Sequence, residues 1–151
     1  MLKGLHPLLS PDLLHLLGSM GHGDDLAIVD ANHPAETVAA ATITGTLIRL
    51  PGLSVDAVLA AVLSVLPVDD FADDPIRFMQ VVGHPEAVPE AVAAMQRVAR
   101  GAGFSGGFAT LERFDFYNAA KAGFGVVQCG ELRLYGNVLI RKGVVAPGAA
   151  P

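Results

Sequence analysis

The chain has 151 residues, of which 52% are apolar and 17% are charged, and its formal net charge is −5. This length fits one domain, and the apolar content excludes a disordered chain, which needs low hydrophobicity and high net charge. The sequence has no basic run and no apolar run of the ~18 residues that a membrane span requires, so neither nucleic acid nor a membrane is an expected partner. We expect a soluble, cytoplasmic protein that buries its apolar excess in a homo-oligomer.

Helices and strands alternate in the predicted order of elements. Apolar spacing, capping residues and helix breakers predict a helix over 11–20, strands over 26–29 and 47–50, a helix over 54–66, a strand over 76–82, a helix over 89–100, a strand over 109–112, a helix over 115–122, and strands over 125–129 and 137–141. The first helix is well marked, because Ser10 can cap it and Pro11 fits its first position. The helix that starts at Ser54 is expected to end before Pro67.

This alternation predicts an α/β layered domain with a mostly parallel central sheet. The predicted strands are continuous apolar runs, which is typical of strands that are buried on both faces. Ligands of such sheets usually bind beyond the carboxyl ends of the strands, so polar residues that directly follow strands are the first candidates for a site. Residues 1–145 are expected to form the single domain, and residues 146–151 a flexible C-terminal tail.

The densest polar cluster flanks the first predicted strand. Residues 21–25 (Gly-His-Gly-Asp-Asp) precede it, and residues 30–34 (Asp-Ala-Asn-His-Pro) follow it. His22 lies between two glycines, which leave room for a ligand or a second chain, and histidine is a common proton shuttle near neutral pH. The alternative is a plain loop with solvated aspartates, which is the favoured interpretation for Asp24 and Asp25. A metal site is not expected, because the spacing of His and Asp matches no strong metal motif.

A second cluster, residues 112–117, spans a predicted strand-to-helix junction. Arg113 could bind two oxygens of a carboxylate or a sugar diol with its planar guanidinium. The alternative is a surface arginine that pairs with Glu112 or Asp115. Tyr117 could equally be a core ring whose hydroxyl is hydrogen-bonded. The cluster is therefore a candidate binding element for an oxygen-rich ligand.

A third cluster, residues 130–137, leads into the last predicted strand. Its end, Tyr135-Gly136-Asn137, suits sugar hydroxyls, because asparagine supplies a donor and an acceptor and an aromatic ring can lie against an apolar sugar face. An ordinary turn is the alternative.

Cys129, the only cysteine of the sequence, is expected to be a buried small hydrophobe, because no activating pattern surrounds it.

Together these clusters resemble a known family of sugar enzymes. The matching motifs are, in chain order, Met1-Leu2-Lys3, Pro7 to Leu14, Met20-Gly21-His22-Gly23-Asp24, Asp30-Ala31, Pro34-Ala35, Arg113-Phe114, Phe116-Tyr117, Gly130-Glu131, Tyr135-Gly136-Asn137 and Lys142-Gly143-Val144. Each motif is short, and the order of the motifs along one chain of this length makes the resemblance specific. The chain resembles the family of L-fucose mutarotase and D-ribose pyranase, and the mutarotase branch most of all, up to about residue 145.

The resemblance implies a three-layer α/β/α fold with a mixed, mostly parallel sheet. It also implies an isomerase that interconverts the α and β anomers of a free monosaccharide, L-fucose or a related sugar, with no cofactor and no metal. His22 would be the proton donor. The implied substrate-binding positions are Asp30, Arg113, Tyr135, Gly136 and Asn137. Further candidates for the site are Tyr117, Glu131 and His33. Members of the family form ring-shaped homo-oligomers, often decamers, whose sites lie near subunit contacts.

Four places depart from the mutarotase pattern, namely residues 31–34, Glu112, Cys129 and the added tail Pro147–Pro151. The first lies beside the expected site, so it bears on the identity of the sugar more than on the reaction. Within the family, the alternative activity is that of D-ribose pyranase, which interconverts pyranose and furanose forms. The alternatives from other classes are a non-catalytic sugar-binding protein linked to transport, and a metal-dependent hydrolase that uses His22, Asp24, Asp30 and His33.

Overall fold

Helices and strands alternate along the chain in the computed structural model, which describes residues 2–148. The elements are α1 (Pro11–Ser19), β1 (Asp25–Val29), α2 (Ala35–Ala39), β2 (Leu47–Leu50), α3 (Val55–Leu63), β3 (Ile76–Met79), α4 (Glu90–Gly101), β4 (Ala109–Leu111), α5 (Arg113–Lys121), β5 (Gly125–Cys129) and β6 (Val138–Arg141). Every predicted strand and helix is therefore present; β2 and β5 have the predicted ends, and the ends of the others lie within three residues of the prediction.

Within the described residues, six strands form one mixed sheet in the order β2-β5-β1-β6-β3-β4. β1 is parallel to β5, β5 to β2, and β3 to β4, whereas β6 runs antiparallel to its neighbours β1 and β3. The direction of β6 follows from its connection, because residues 130–137 join it to β5 without a helix and a parallel crossover needs about a dozen residues or more. β6 therefore begins at the edge of the sheet where β1 and β5 end.

Helices cover both faces of the sheet, which confirms the three-layer α/β/α fold. On one face α1, α3 and α4 pack around fully buried side chains such as Leu13, Val58, Met95 and the strand residue Phe78. On the other face α2 and α5 pack around Phe116. Because both faces are covered, the central strands are apolar at successive positions. Polar residues are thus left to the edges of the sheet where strands begin and end.

Side-chain caps start two helices where the sequence predicts them. The Ser10 hydroxyl accepts a hydrogen bond from the Leu13 backbone N–H at 3.2 Å. In the same way Ser54 accepts a hydrogen bond from the Ala57 N–H at 3.4 Å. Each cap satisfies one of the backbone donors that the first turn of a helix leaves free.

Three elements near the candidate site differ from the prediction. α5 begins at Arg113, two residues early, because the Glu112 carboxylate caps it by accepting the N–H groups of Phe114 and Asp115. β3 ends at Met79, three residues early. α2 is absent from the prediction, because its five residues are too few for helical spacing to be visible.

The carboxyl-terminal segment leaves the sheet after β6. Val144 and Val145 are exposed there. Residues 149–151 of the predicted tail lie outside the described residues, so the division into residues 1–145 and 146–151 stays a prediction. Among the helices described, none combines the length and the apolar character that crossing a membrane would take.

Candidate active site

One part of the candidate site lies where β1 ends and β6 begins. Asp30 directly follows β1, Asn137 directly precedes β6, and both are buried. The Asn137 side-chain amide donates to a carboxylate oxygen of Asp30 at 2.8 Å, and its oxygen accepts the Asp30 backbone N–H at 3.1 Å. The Asn32 N–H donates to the second carboxylate oxygen at 3.0 Å. The antiparallel pairing of β6 with β1 thus joins two residues that are far apart in sequence.

Burial and hydrogen bonding act in opposite directions on the Asp30 carboxyl group. Burial raises its pKa above the ordinary value, whereas hydrogen bonds from the Asn137 side chain and the Asn32 backbone lower it. These two hydrogen bonds, at 2.8 and 3.0 Å, use two of the about four acceptor positions of a carboxylate, so two positions stay open to the hydroxyls of a ligand. The edge of the sheet therefore holds a buried acceptor of fixed orientation.

Gln128 of β5 fixes the loop that follows β1. Its side-chain nitrogen lies 3.2, 3.4 and 3.3 Å from the carbonyl oxygens of Asp30, Ala31 and His33. The Arg49 guanidinium donates in turn to the side-chain oxygen of Gln128. No sequence motif marks this glutamine, and only the pairing of β5 with β1 brings it to the loop.

Tyr135 and Gly136 shape the loop that leads into β6. Tyr135 has a positive φ of 63°, which is uncommon for a residue with a side chain, and its hydroxyl accepts the Val82 N–H at 3.1 Å. A Cβ atom at Gly136 would lie 2.7 Å from Cγ of Glu131 and 3.5 Å from Cβ of Asp30. Position 136 therefore requires glycine because the backbone packs closely against two acidic side chains.

His33 and Tyr117 meet at the same edge, because α5 packs over β1. The His33 ring lies edge-on to Tyr117 with ring centres 5.2 Å apart, and its centre is 6.0 Å from that of Phe116. Burial lowers the pKa of His33 to about 4, so the imidazole is neutral at physiological pH. Its Nε2 atom is buried and has no hydrogen-bond partner in the described part of the chain. His33 therefore adds an unused polar atom near Asn137.

Arg113 is the first residue of α5 and lies at the predicted strand-to-helix junction. Its guanidinium carbon is 4.7 Å from the centre of the Phe114 ring, which is edge-on to Tyr117. The Arg113 Nε atom is buried, and no residue from 2 to 148 accepts a hydrogen bond from it. Among residues 2–148, Arg113 forms no ion pair with Glu112 or Asp115, the predicted alternative, and the Glu112 carboxylate instead caps α5. The guanidinium thus keeps a donor available for a ligand oxygen.

Glu131 is buried, and its carboxylate already has partners. Arg133 donates to it from its backbone N–H at 2.8 Å, from Nε at 3.0 Å and from Nη2 at 2.7 Å, and the Val55 N–H donates at 3.2 Å. The hydrogen bonds from the Arg133 side chain lower the pKa of Glu131 to about 2. A direct contact of Glu131 with a ligand stays a prediction, while the geometry shows that its carboxylate supports the loop.

His22 lies at the opposite end of β1, in the turn that follows α1. Its half-exposed ring places Nε2 3.3 Å from a carboxylate oxygen of Asp69, whose side chain is only 5% exposed. The same Asp69 oxygen accepts the Phe71 N–H at 3.0 Å. The sequence gives no signal for Asp69, which reaches His22 through the β-bridge between Val68 and Lys142.

The candidate residues of one chain therefore form two separate groups, the candidate half-sites around His22 and around Asp30. From Asp25 to Asp30, β1 spans about 16 Å at the rise of a β-strand, and His22 lies beyond its beginning. This is longer than a monosaccharide, so His22 and Asp30 of one chain cannot contact the same sugar. The predicted residues that share the other edge are Asp30, His33, Arg113, Tyr117, Glu131, Tyr135, Gly136 and Asn137.

The residues of the metal-dependent alternative do not come together as a metal site within the described part of one chain. Within residues 2–148, no group of three or more His, Cys, Asp or Glu side chains is arranged to hold a metal ion. His22 and Asp24 precede β1, whereas Asp30 and His33 follow it, so the four residues of the hydrolase hypothesis do not converge in one chain. Asp24 instead accepts the Gly21 N–H at 2.7 Å, as a loop aspartate would.

Comparison with known proteins identifies the family. The model of the RbsD / FucU transport protein family matches residues 3–145. The chain belongs to this family. It is 39% identical over 145 residues to an L-fucose mutarotase of Haemophilus influenzae, a match that covers 95% of this chain and 97% of that protein. It is 40% identical over 149 residues to the fucose mutarotase of Homo sapiens, covering 96% of this chain and 95% of that protein.

A solved structure shares the fold of this RbsD / FucU family member. The crystal structure of the fucose mutarotase in complex with L-fucose from Streptococcus pneumoniae aligns with a TM-score of 0.86 and 34% sequence identity. The alignment covers 96% of this chain and 100% of that chain. Both half-sites therefore belong to elements of a fold that is shared over its full length, which confirms the resemblance seen in the sequence.

Proposed function

We propose that the protein is an isomerase, a cofactor-independent mutarotase that interconverts the α and β anomers of L-fucose. The observation that carries this proposal is the full-length similarity to relatives named fucose mutarotase. The edge around Asp30 and Asn137 supports it, because recognition of a hydroxyl-rich sugar requires several polar groups of fixed orientation.

Exchange of anomers needs only proton transfers. One proton leaves the anomeric hydroxyl and another reaches the ring oxygen, so that the ring opens to an aldehyde. The aldehyde rotates, and the reverse transfers close the ring on the other face. Positioned acid–base groups accelerate such steps by about 10²–10⁴-fold, which suffices for a reaction that proceeds slowly in water. We assign this proton exchange to His22.

The contact with Asp69 suits His22 for proton exchange. The Asp69 carboxylate beside Nε2 favours the imidazole tautomer that carries its hydrogen on Nε2, which leaves the second ring nitrogen, Nδ1, to take and return a proton. The Phe71 N–H fixes the carboxylate, and the carboxylate fixes the imidazole. Asp69 is thus a positioning residue for the proposed proton donor.

The other half-site would bind the sugar. We assign Asp30 as an acceptor for sugar hydroxyls and Arg113 as a donor to one or two sugar oxygens, since its Nε is unpaired in the described chain. Asn137 would hold Asp30 in place and share in hydroxyl recognition. Tyr117 and Tyr135 offer aromatic rings against which an apolar sugar face can lie.

Because the two halves lie at opposite ends of β1, we propose that each complete site forms between two copies of the chain. Exposed apolar side chains flank both halves. Beside His22 lies Phe71, with ring centres 6.0 Å apart, and around the Asp30 edge they are Val82, Phe114, Leu132 and Leu134. A contact between one end of a subunit and the other end of the next repeats until a ring closes. The decameric stoichiometry and the cytoplasmic location stay predictions.

NMR saturation transfer between the anomeric proton signals of a free sugar tests the proposed function. We expect the protein to accelerate anomer exchange of L-fucose, and His22→Ala to lose the acceleration while it folds normally. D-Ribose in the same assay distinguishes a pyranase, which would accelerate exchange between pyranose and furanose signals. Sugar binding without acceleration would identify a non-catalytic binding protein and refute the proposal.

A further inference from the structure

Arg133 connects the loop between β5 and β6 to the first turns of two helices. Its guanidinium donates to both carboxylate oxygens of Glu131, at 3.0 Å from Nε and 2.7 Å from Nη2. The same guanidinium lies 2.5 Å from a carboxylate oxygen of Asp56 in α3 and 3.5 Å from one of Glu90 in α4. Carboxylates from three segments of the chain thus surround one arginine.

We propose that Arg133 is a positioning residue that clamps residues 131–137 so that Tyr135, Gly136 and Asn137 are held ready for the sugar. This inference rests on the proposed function, because it concerns the same site. Arg133 acts through Glu131 and does not touch the sugar itself.

The loop has few apolar contacts that could hold it. Leu132 and Leu134, on either side of Arg133, are 76% and 69% exposed. Tyr135 holds a positive φ of 63°, a conformation that persists in a non-glycine residue only where surrounding contacts enforce it. The polar contacts of Glu131 and Arg133 are therefore a principal constraint on the loop.

Glu131 connects the clamp to the sugar-binding edge. Its Cγ lies against Gly136, where a Cβ atom would come within 2.7 Å, and its backbone carbonyl accepts the Ala31 N–H at 3.0 Å. Gly136 in turn packs against Cβ of Asp30. A shift of Glu131 would therefore displace the backbone on both sides of the Asp30–Asn137 pair.

Charge explains why this position needs an arginine. The titratable groups that face the buried Glu131 carboxylate are Arg133, Asp56, Glu90, Asp30 and the Cys129 thiol. Arg133 is the one cation among them. Without it, a buried carboxylate would face acidic neighbours with no compensating charge, which is strongly unfavourable. Protonation of Glu131, or its replacement by glutamine, would remove that penalty.

Three variants test the clamp: Arg133→Met, the double variant Arg133→Met/Glu131→Gln, and Arg97→Met, a matched control that removes an exposed arginine from α4. Anomer exchange of L-fucose gives kcat/KM between about pH 5 and pH 8. Amide hydrogen exchange of peptides that cover residues 130–138 reports the order of the loop. The two measurements separate the state of the loop from the activity.

We expect kcat/KM of Arg133→Met to fall about tenfold at the upper end of this pH range, because a displaced loop misplaces the sugar-binding groups. Hydrogen exchange of the loop should become faster. The loss of activity should shrink toward the acidic end, as Glu131 takes up a proton, and it should also shrink in the double variant. Arg97→Met should match the wild type in both measurements.

A merely structural role would lower the activity of Arg133→Met equally at every pH and would not be relieved by Glu131→Gln. Either result, or a kcat/KM within about twofold of the wild type, overturns the proposal. If Arg133→Met does not fold, Arg133→Lys replaces it, because lysine keeps the charge but lacks the planar guanidinium that binds both oxygens of Glu131. This variant must show faster hydrogen exchange of the loop and a kcat/KM about threefold lower than that of the wild type. Wild-type values of both quantities would overturn the proposal. If the wild type accelerates no sugar, the proposed function fails, whereas hydrogen exchange of the loop still decides the clamp.

Discussion

A mixture of two inactive variants tests whether each active site is shared between two copies of the chain. His22→Ala removes the proposed proton donor, and Asp30→Asn removes the buried carboxylate at the other end of β1. Neither variant alone should accelerate anomer exchange. If a complete site combines His22 of one subunit with Asp30 of the next, a mixed ring will contain sites in which both residues are intact.

The size of the recovery follows from the geometry. His22 and Asp30 of one chain are separated by the length of β1, about 16 Å, and therefore serve different sites. In a randomly assembled equal mixture, a site is intact when it takes His22 from an Asp30→Asn subunit and Asp30 from a His22→Ala subunit. Each choice is made half of the time, so about a quarter of the wild-type activity should return.

Saturation transfer of L-fucose measures the recovery after the two variants have been unfolded together and refolded. Size-exclusion chromatography with light scattering checks that the mixture assembles as the wild type does. The matched control combines His22→Ala with the double variant His22→Ala/Asp30→Asn, which can form no intact site. A mixture that assembles normally but shows only the summed activity of its parents refutes the shared site.

Individual contacts give further expected outcomes. Asp69→Asn should lower kcat about tenfold or more with KM unchanged, because His22 loses the charge that orients it; an unaltered kcat would contradict this role. Gly136→Ala places a Cβ atom 2.7 Å from Cγ of Glu131 and should lower the free energy of unfolding, measured by denaturant titration, by about 1–3 kcal/mol. The pKa of Glu131 is lowered from 4.5 to about 2, so its stabilising contribution is complete above pH 4.5 and is lost as the pH falls through about 2. Glu131→Gln should therefore reduce the fall of the unfolding temperature over this pH range, and a fall equal to that of the wild type would contradict the contribution. Burial raises the pKa of Cys129 to about 11, so a thiol reagent should label it only after unfolding, and rapid labelling of the folded protein would disprove its burial.

The strands and their layering were predictable from local signals, because the central strands are mostly apolar and are flanked by polar or glycine residues. β1 and β5 are buried on both faces, so most of their five successive residues are apolar, and this run is visible in the sequence. α2 leaves no such pattern. It makes less than two turns, and its position depends on the packing of Ala35 and Val38 against the sheet.

The proposed sugar-binding edge was partly predictable, because Asp30 and Asn137 lie beside strand ends that the apolar pattern marks. The contacts that orient the site were not predictable. Asp69 reaches His22 from a loop after α3, and Arg133 reaches α3 and α4 from the loop after β5. Such contacts join segments whose spacing in the sequence is arbitrary, so they become visible only when the sheet fixes where each loop lies.

The apolar excess of the chain and the division of its site have a common explanation. With 52% apolar and only 17% charged residues, the chain leaves Phe71 exposed next to His22 and Leu134 exposed in the proposed sugar-binding loop. Exposed side chains of this size favour contact with a partner that removes them from water. In the proposed ring, one contact between neighbouring subunits covers both side chains and brings His22 to Asp30. Assembly and activity therefore depend on the same surfaces, and a monomer with an intact fold would carry both halves of the site without a complete one.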